Sequence, residues 1–314
     1  MGNYMHKRGI DTFLEVWGQK WADLPFDATV QERRNWFEVI AKEMRLPTPD
    51  NVETKQEIWI QSEPVDVRVR VFRYGDDNAQ PCLIYLHGGA WMVGSPETHW
   101  DVTSRIAKYN KQTVISIDYA LAPEHPYPAA ITQCEAVVKW VHKNASNLNI
   151  NPNKIAVGGD SAGANLAALL AIIFRDSHIK LVGQLLYYPA VDFEMTRPAY
   201  VENANGPILS VAGMPAVNAM YCPNVRDLQN PLVAPMLAHD HSNLPPAYIA
   251  VAHNDPLRDD GIDYAEKLRA SGVDVELDLG EGLIHSFLRA MEYCEASRDN
   301  LKAASAWLRK LNEK

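Results

Sequence analysis

Apolar residues recur at helical spacing near the start of this chain, then at strand spacing, then in short fully apolar runs. Phe13, Leu14, Trp17 and Trp21, followed by Trp36, Phe37, Ile40 and Met44, each form one apolar face and predict helices over Ile10–Trp21 and Val30–Met44. Pro47 and Pro49 end that period. Glu57–Gln61 and Val65–Phe72, the latter alternating valine with charge, predict strands with one buried face each, antiparallel at a sheet edge. Short apolar runs follow at Leu83–Leu86, Val114–Ile117, Ile155–Val157, Leu185–Tyr188, Tyr248–Val251 and Val275–Leu279. They are mostly separated by helical segments such as Ala129–His142 and Asp263–Arg269. Strands that are apolar throughout and alternate with helices belong to a mostly parallel sheet covered on both faces, an α/β fold.

One region breaks the rhythm. Between Asp192 and Leu244 stand Pro198, Pro207, Pro215, Pro223, Pro231 and Pro235. A structureless connection of that length is improbable in a compact domain, so local helices and a share in a lid over the carboxyl edge of the sheet are expected.

Charge and composition narrow the classes. A net charge of -9 without a basic run excludes attachment to a nucleic-acid backbone, so no nucleic-acid partner is expected. No run approaches the ~20 apolar residues of a membrane span, and the N-terminal MGNYMHKRG leads into no apolar segment. The expectation is a cytoplasmic protein with no membrane partner. Cys82, Cys134, Cys222 and Cys294 are far apart and form no C-x-x-C pair, which excludes a thiol-built zinc site and predicts reduced, mostly buried cysteines. Asn144-Ala145-Ser146 matches a glycosylation acceptor, but near an expected helix end and with no secretion expected the match is read as coincidence.

The chemistry starts at Gly159-Asp160-Ser161-Ala162-Gly163, where the strand at Ile155–Val157 hands over to a helix marked by Leu166, Leu169, Leu170 and Ile173. Glycines on either side remove the Cβ atoms that a tight strand-to-helix turn would bring into collision, leaving the serine hydroxyl proud of the turn. A serine hydroxyl attacks at neutral pH only if a base takes its proton, and the base needs a third group to hold its tautomer. In an open sheet both belong on loops after later strands. Asp255 follows the strand at Tyr248–Val251, and His285 follows the strand at Val275–Leu279, giving the order Ser161, Asp255, His285. His253 competes for the base but precedes Asp255 by only two residues, and no later carboxylate then fits the order. His6, His142 and His178 sit on helices or their ends and read as solvated or packing residues. Asp259 and Asp260 read as residues complementing a helix dipole. An attacked carbonyl also needs backbone N–H donors aimed at the developing oxyanion, each worth on the order of 3 kcal/mol. Ala162 supplies one, and the turn His87-Gly88-Gly89-Ala90-Trp91 after an earlier strand supplies others from Gly88, Gly89 or Ala90.

With these residues assembled, the chain resembles the hormone-sensitive-lipase-like branch of the α/β-hydrolases, the bacterial family IV esterases. The likeness rests on HGGAW at 87–91, DYALAPEHPYPAA at 118–130, GGDSAGANLA at 158–167, DPLRDDG at 255–261 and GLIHSF at 282–287, and covers essentially everything after about residue 50. It implies an α/β-hydrolase fold in which residues 1–50 form N-terminal cap helices. Residues 51–314 then form the catalytic domain, with a second cap segment at about 193–243. It also implies a carboxylesterase acting on short- to medium-chain esters through an acyl-enzyme, with no metal and no organic cofactor. Ser161 is then the nucleophile, His285 the base and acid, and Asp255 its orienter. The partner is a small-molecule ester, and a homodimer is left open.

Three departures from the family pattern stand out. Ala90 replaces the third glycine of H-G-G-G, which keeps the N–H but places a methyl at the mouth of the acyl site, against bulky acyl or tertiary-alcohol substrates. His253 and Asn254 precede the acid where relatives carry acidic and aromatic residues, and Ala164 stands where a further glycine is common. The rivals are an amidase- or arylformamidase-like hydrolase on the same triad and a non-catalytic ligand-binding protein on this fold. Trp17, Trp21, Trp36 and Phe37 either line an acyl tunnel or pack on the core.

Overall fold

The computed structural model describes residues 5–75 and 78–313. The first four residues of the N-terminal MGNYMHKRG stretch, and Lys314 at the end of the expected catalytic domain, lie outside them. Two amphipathic helices come first, α1 (Ile10–Trp21) and α2 (Val30–Glu43), with Thr29 and Glu32 forming a reciprocal capping box at the start of α2. An eight-stranded sheet follows in the order β1-β2-β4-β3-β5-β6-β7-β8. Its strands are β1 (Val52–Ile60), β2 (Val67–Tyr74), β3 (Gln80–Leu86), β4 (Thr113–Asp118), β5 (Ile150–Asp160), β6 (Leu181–Tyr187), β7 (Ala247–Ala250) and β8 (Val275–Asp278). Only β2 opposes the rest, pairing antiparallel with β1 and β4, as its one-sided alternation predicts.

Helices α3 (Trp100–Asn110) and α9 (Glu295–Glu313) cover one face, and α4 (Ala129–Lys143), α5 (Ala162–Phe174) and α8 (Arg258–Ala270) the other. Successive residues of β3 divide between the two cores: Cys82, Ile84 and Leu86 pack toward α4 and α5, Leu83 and Tyr85 toward α3 and α9. Both faces are therefore dry, which is why the central strands read as unbroken apolar runs.

Helices α3 and α9 are not among the segments named from the sequence, although each carries an apolar stripe, Val102, Ile106 and Ala107 on α3 and Leu301, Ala304, Trp307 and Leu308 on α9, with small polar residues such as Thr103 and Ser297 buried beside it. Residues 193–243 do hold local helices, α6 (Pro198–Glu202) and α7 (Met214–Tyr221), with single 3-10 turns between and after them. All four cysteines are unpaired and buried. Among the described residues no helix is long and apolar enough to cross a membrane.

Candidate active site

The turn between β5 and α5 consists of Ser161 alone, with φ 54° and ψ -120°, a left-handed conformation that a side chain adopts only at a cost. The glycines around it have no alternative. A Cβ on Gly159 would lie 2.3 Å from the Leu86 carbonyl oxygen, and one on Gly163 only 2.0 Å from the same atom. The Ser161 N–H donates to the Tyr187 carbonyl at 2.9 Å, which fixes the turn to β6 and leaves the hydroxyl free to face the site.

The two later loops meet that hydroxyl. His285 Nε2 lies 3.0 Å from Ser161 Oγ, and its Nδ1 lies 2.7 Å from Asp255 Oδ2. Asp255 is fully buried, and its other oxygen accepts the Leu257 N–H at 2.9 Å. A carboxylate acceptor at Nδ1 places the ring proton there and leaves Nε2 as the acceptor facing the serine. The loops are laced together by His253 N–H to the Gly280 carbonyl and Asn254 N–H to the Leu283 carbonyl. The rival His253 turns away: half-exposed, its Nδ1 sits 3.5 Å from Glu281.

Asp259 and Asp260 do more than complement a helix dipole. Asp259 accepts the Ala199 N–H, while the fully buried Asp260 accepts the Tyr200 hydroxyl at 2.6 Å and Arg197 at 2.9 Å. Burial drives the Asp260 carboxyl upward, opposed by that hydroxyl and guanidinium. These contacts bind the 193–243 segment to α8, directly behind Asp255.

Of the expected backbone donors, Gly88 needs correction. Its N–H donates to Asp160 Oδ1 at 3.0 Å and is therefore occupied. Among the described residues, the N–H groups of Gly89, Ala90 and Ala162 have no such partner, so the candidate oxyanion donors contract to these three. The turn that carries Gly89 and Ala90 is strained, with φ 127° at Gly89, 55° at Ala90 and 56° at Trp91.

Asp160 is a residue the sequence reading passed over. Only 3% exposed, it takes the Gly88 N–H and the Tyr85 hydroxyl, with His99 Nε2 at 3.3 Å. Burial alone would raise its carboxyl, but His99, Arg289 and Tyr85 outweigh it and hold the group well below the usual carboxylate range. His87, stacked on Tyr119 at 4.2 Å between ring centres, is fully buried, and burial pushes its imidazole down to about 3. Its Nδ1–H donates to the Gly88 carbonyl at 2.9 Å, bracing the turn as a neutral ring.

Two cavities meet at Ser161. One of about 500 Å³ is walled by Trp17, Trp21 and Phe37 and reaches His285. The other, about 220 Å³, lies between Trp91, Phe193, Met214, Val217 and Leu257. Ala90, Ile208 and Leu209 border both. Of the four aromatics left undecided between tunnel and packing, three line the larger cavity, whereas Trp36 donates its ring N–H to the Lys20 carbonyl.

The sequence profile of the α/β-hydrolase fold matches residues 83–289, more than half of the chain. The chain belongs to the α/β-hydrolase family. It is 40% identical over 260 residues to carboxylesterase NlhH of Mycobacterium tuberculosis, covering 79% of this chain and 81% of that one. Arylesterase of Saccharolobus solfataricus is 36% identical over 242 residues, 76% of this chain and 78% of the relative. Among solved structures, the hyperthermophilic esterase from the archaeon Pyrobaculum calidifontis superposes with a TM-score of 0.87 at 35% identity, over 96% of this chain and 98% of that one. This α/β-hydrolase is a serine carboxylesterase of the hormone-sensitive-lipase-like branch.

Proposed function

We propose that Ser161, His285 and Asp255 carry the hydrolysis of short- to medium-chain carboxylic esters. Ser161 Oγ attacks the ester carbonyl as His285 Nε2 takes its proton, and the N–H groups of Gly89, Ala90 and Ala162 receive the oxyanion. The C–O bond to the alcohol then breaks, and His285 returns the proton to the departing oxygen. Water, deprotonated by the same nitrogen, attacks the resulting serine ester, and His285 returns that proton to Ser161 Oγ as the C–Oγ bond breaks and the acid is released. Asp255 orients the ring and steadies its positive charge throughout.

The observation that carries this reading is the hydrogen-bonded line from Ser161 Oγ through both nitrogens of His285 to a fully buried Asp255. The same line speaks against a silent binding protein. His285 must reach the leaving oxygen, and it lines the larger cavity, so the alcohol belongs there and the acyl chain in the smaller one. On this reading α1, α2 and residues 193–243 act as the cap, and the unpaired thiols accord with a cytoplasmic protein. Replacing Ser161 by alanine tests the proposal. Turnover of p-nitrophenyl butyrate should fall by a factor on the order of 10⁴ or more in a protein that melts like the wild type, whereas retained turnover overturns the scheme.

A further inference from the structure

Arg34 on α2 lines neither cavity, yet its guanidinium reaches across to the loop that carries the oxyanion donors. Its Nε donates to the Met92 carbonyl at 2.7 Å, and its Nη2 to the Ala122 carbonyl at 2.7 Å. Both terminal nitrogens also hold the Glu124 carboxylate, at 3.0 and 2.6 Å. The Ala122 N–H in turn donates to the Trp91 carbonyl at 2.9 Å. The carbonyls of Trp91 and Met92, the two residues after Ala90, are thus both held from outside the turn. One helical turn further along α2, Glu38 accepts the Ser95 hydroxyl at the far end of the same loop.

We propose that Arg34 is a positioning residue for the oxyanion turn, an inference that rests on the triad reading above. Successive left-handed conformations at the non-glycine residues Ala90 and Trp91 persist only where neighbours over-determine them. Beside the Met92 and Val93 N–H bonds to the Gly89 carbonyl and the Ala122 N–H bond to Trp91, Arg34 adds to that constraint with a planar fork whose fixed N–H directions meet the Met92 and Ala122 carbonyls, a geometry that a lysine ammonium does not reproduce. Its loss lets the turn relax and moves the Gly89 and Ala90 N–H groups off the position where charge develops. A purely structural Arg34 predicts something else. It would anchor α2, which carries Phe37 into the larger cavity, and its loss would raise KM for bulky alcohols at unchanged kcat.

The test compares R34M, R34K and E124Q with wild-type enzyme on p-nitrophenyl acetate, together with inhibition by a trifluoromethyl ketone, whose serine adduct places an alkoxide on the same donors. In R34M kcat is expected to fall about ten- to a hundredfold with KM within about threefold, and the ketone Ki to weaken in step with kcat/KM. R34K should fall less, and E124Q, which removes a half-exposed partner but leaves both carbonyl contacts, should stay within about twofold. Unchanged kcat and Ki in R34M, or a rise in KM alone, overturns the proposal. If R34M does not fold, R34K decides, and wild-type kcat and Ki there overturn it equally. The wild-type enzyme separates the two readings: inactivity there sinks the triad, while variants indistinguishable from an active wild type sink only the role of Arg34.

Discussion

Two strained turns flank the Ser161 hydroxyl, and they differ in how much they lean on distant side chains. The turn at Ser161 is held from within: glycines at 159 and 163 press backbone on backbone against β3, and the sheet and α5 leave it no other path. The turn at Gly89–Trp91 is closed by the Met92 and Val93 N–H groups on the Gly89 carbonyl, and it leans in addition on contacts from outside: Asp160 and the His87 ring at the adjoining Gly88, the Ala122 N–H at Trp91 and the Arg34 guanidinium at Met92. Strain fixed by backbone packing fails only when the packing fails. Contacts made by distant side chains can be released one at a time, which makes the proposed oxyanion turn the more adjustable half of the site.

The sharpest way to break this contrast is Gly163→Ala. The added carbon would meet the Leu86 carbonyl oxygen at 2.0 Å and the His87 carbonyl oxygen at 2.5 Å, and neither backbone can yield without moving β3. A loss above about 4 kcal/mol, or no folded protein at all, is expected from thermal and urea unfolding. A variant that folds with wild-type stability would show that the nucleophile turn is as compliant as its neighbour.

Asp160→Asn comes next, because it removes a buried carboxylate that stands in one turn and holds the Gly88 N–H beside the other. Burial favours the neutral carboxyl, but the neighbouring His99, Arg289 and Tyr85 hold it below its ordinary value of 3.8. A carboxyl lowered by folding stabilises the protein above its unfolded value and loses that stabilisation as pH falls. The variant should therefore be less stable by about 3 kcal/mol at neutral pH, with the gap to wild type closing below pH ~4. Urea melts across pH check this, and a gap that persists unchanged into acid would mean that the charge is not what holds Gly88.

The same contrast explains what the sequence disclosed. The serine turn is written in five adjacent residues, and the proposed acid and base follow from the order of strands, so the three side chains that meet, Ser161, Asp255 and His285, could be named in advance. The supports of the oxyanion turn could not, since Gly88 and its acceptor stand 72 positions apart and Arg34 and Met92 stand 58 apart. No local period encodes such a pairing. That is why Gly88 passed for a free donor, and why Asp260, which does stand in the first turn of α8, was not foreseen as the buried partner of Tyr200 and Arg197. Helices α3 and α9 are different, because their apolar stripes, Val102 with Ile106 and Leu301 with Leu308, were legible locally.

Ala90→Gly is the mildest change and separates the two halves of the contrast most finely. Glycine would adopt φ 55° freely and relieve a left-handed alanine, a gain of about 1 kcal/mol, but it would add a similar amount of unfolded-state entropy. Net stability should move by less than about 0.5 kcal/mol, within reach of calorimetry. Specificity should move further, because the methyl borders both cavities where the tetrahedral carbon must sit. The rate on a tert-butyl ester relative to the ethyl ester is expected to rise, with the outer clamps still holding the N–H groups in place. A variant that loses activity on both esters equally would mean that the methyl itself keeps the turn in register, and that side chains outside it are not enough.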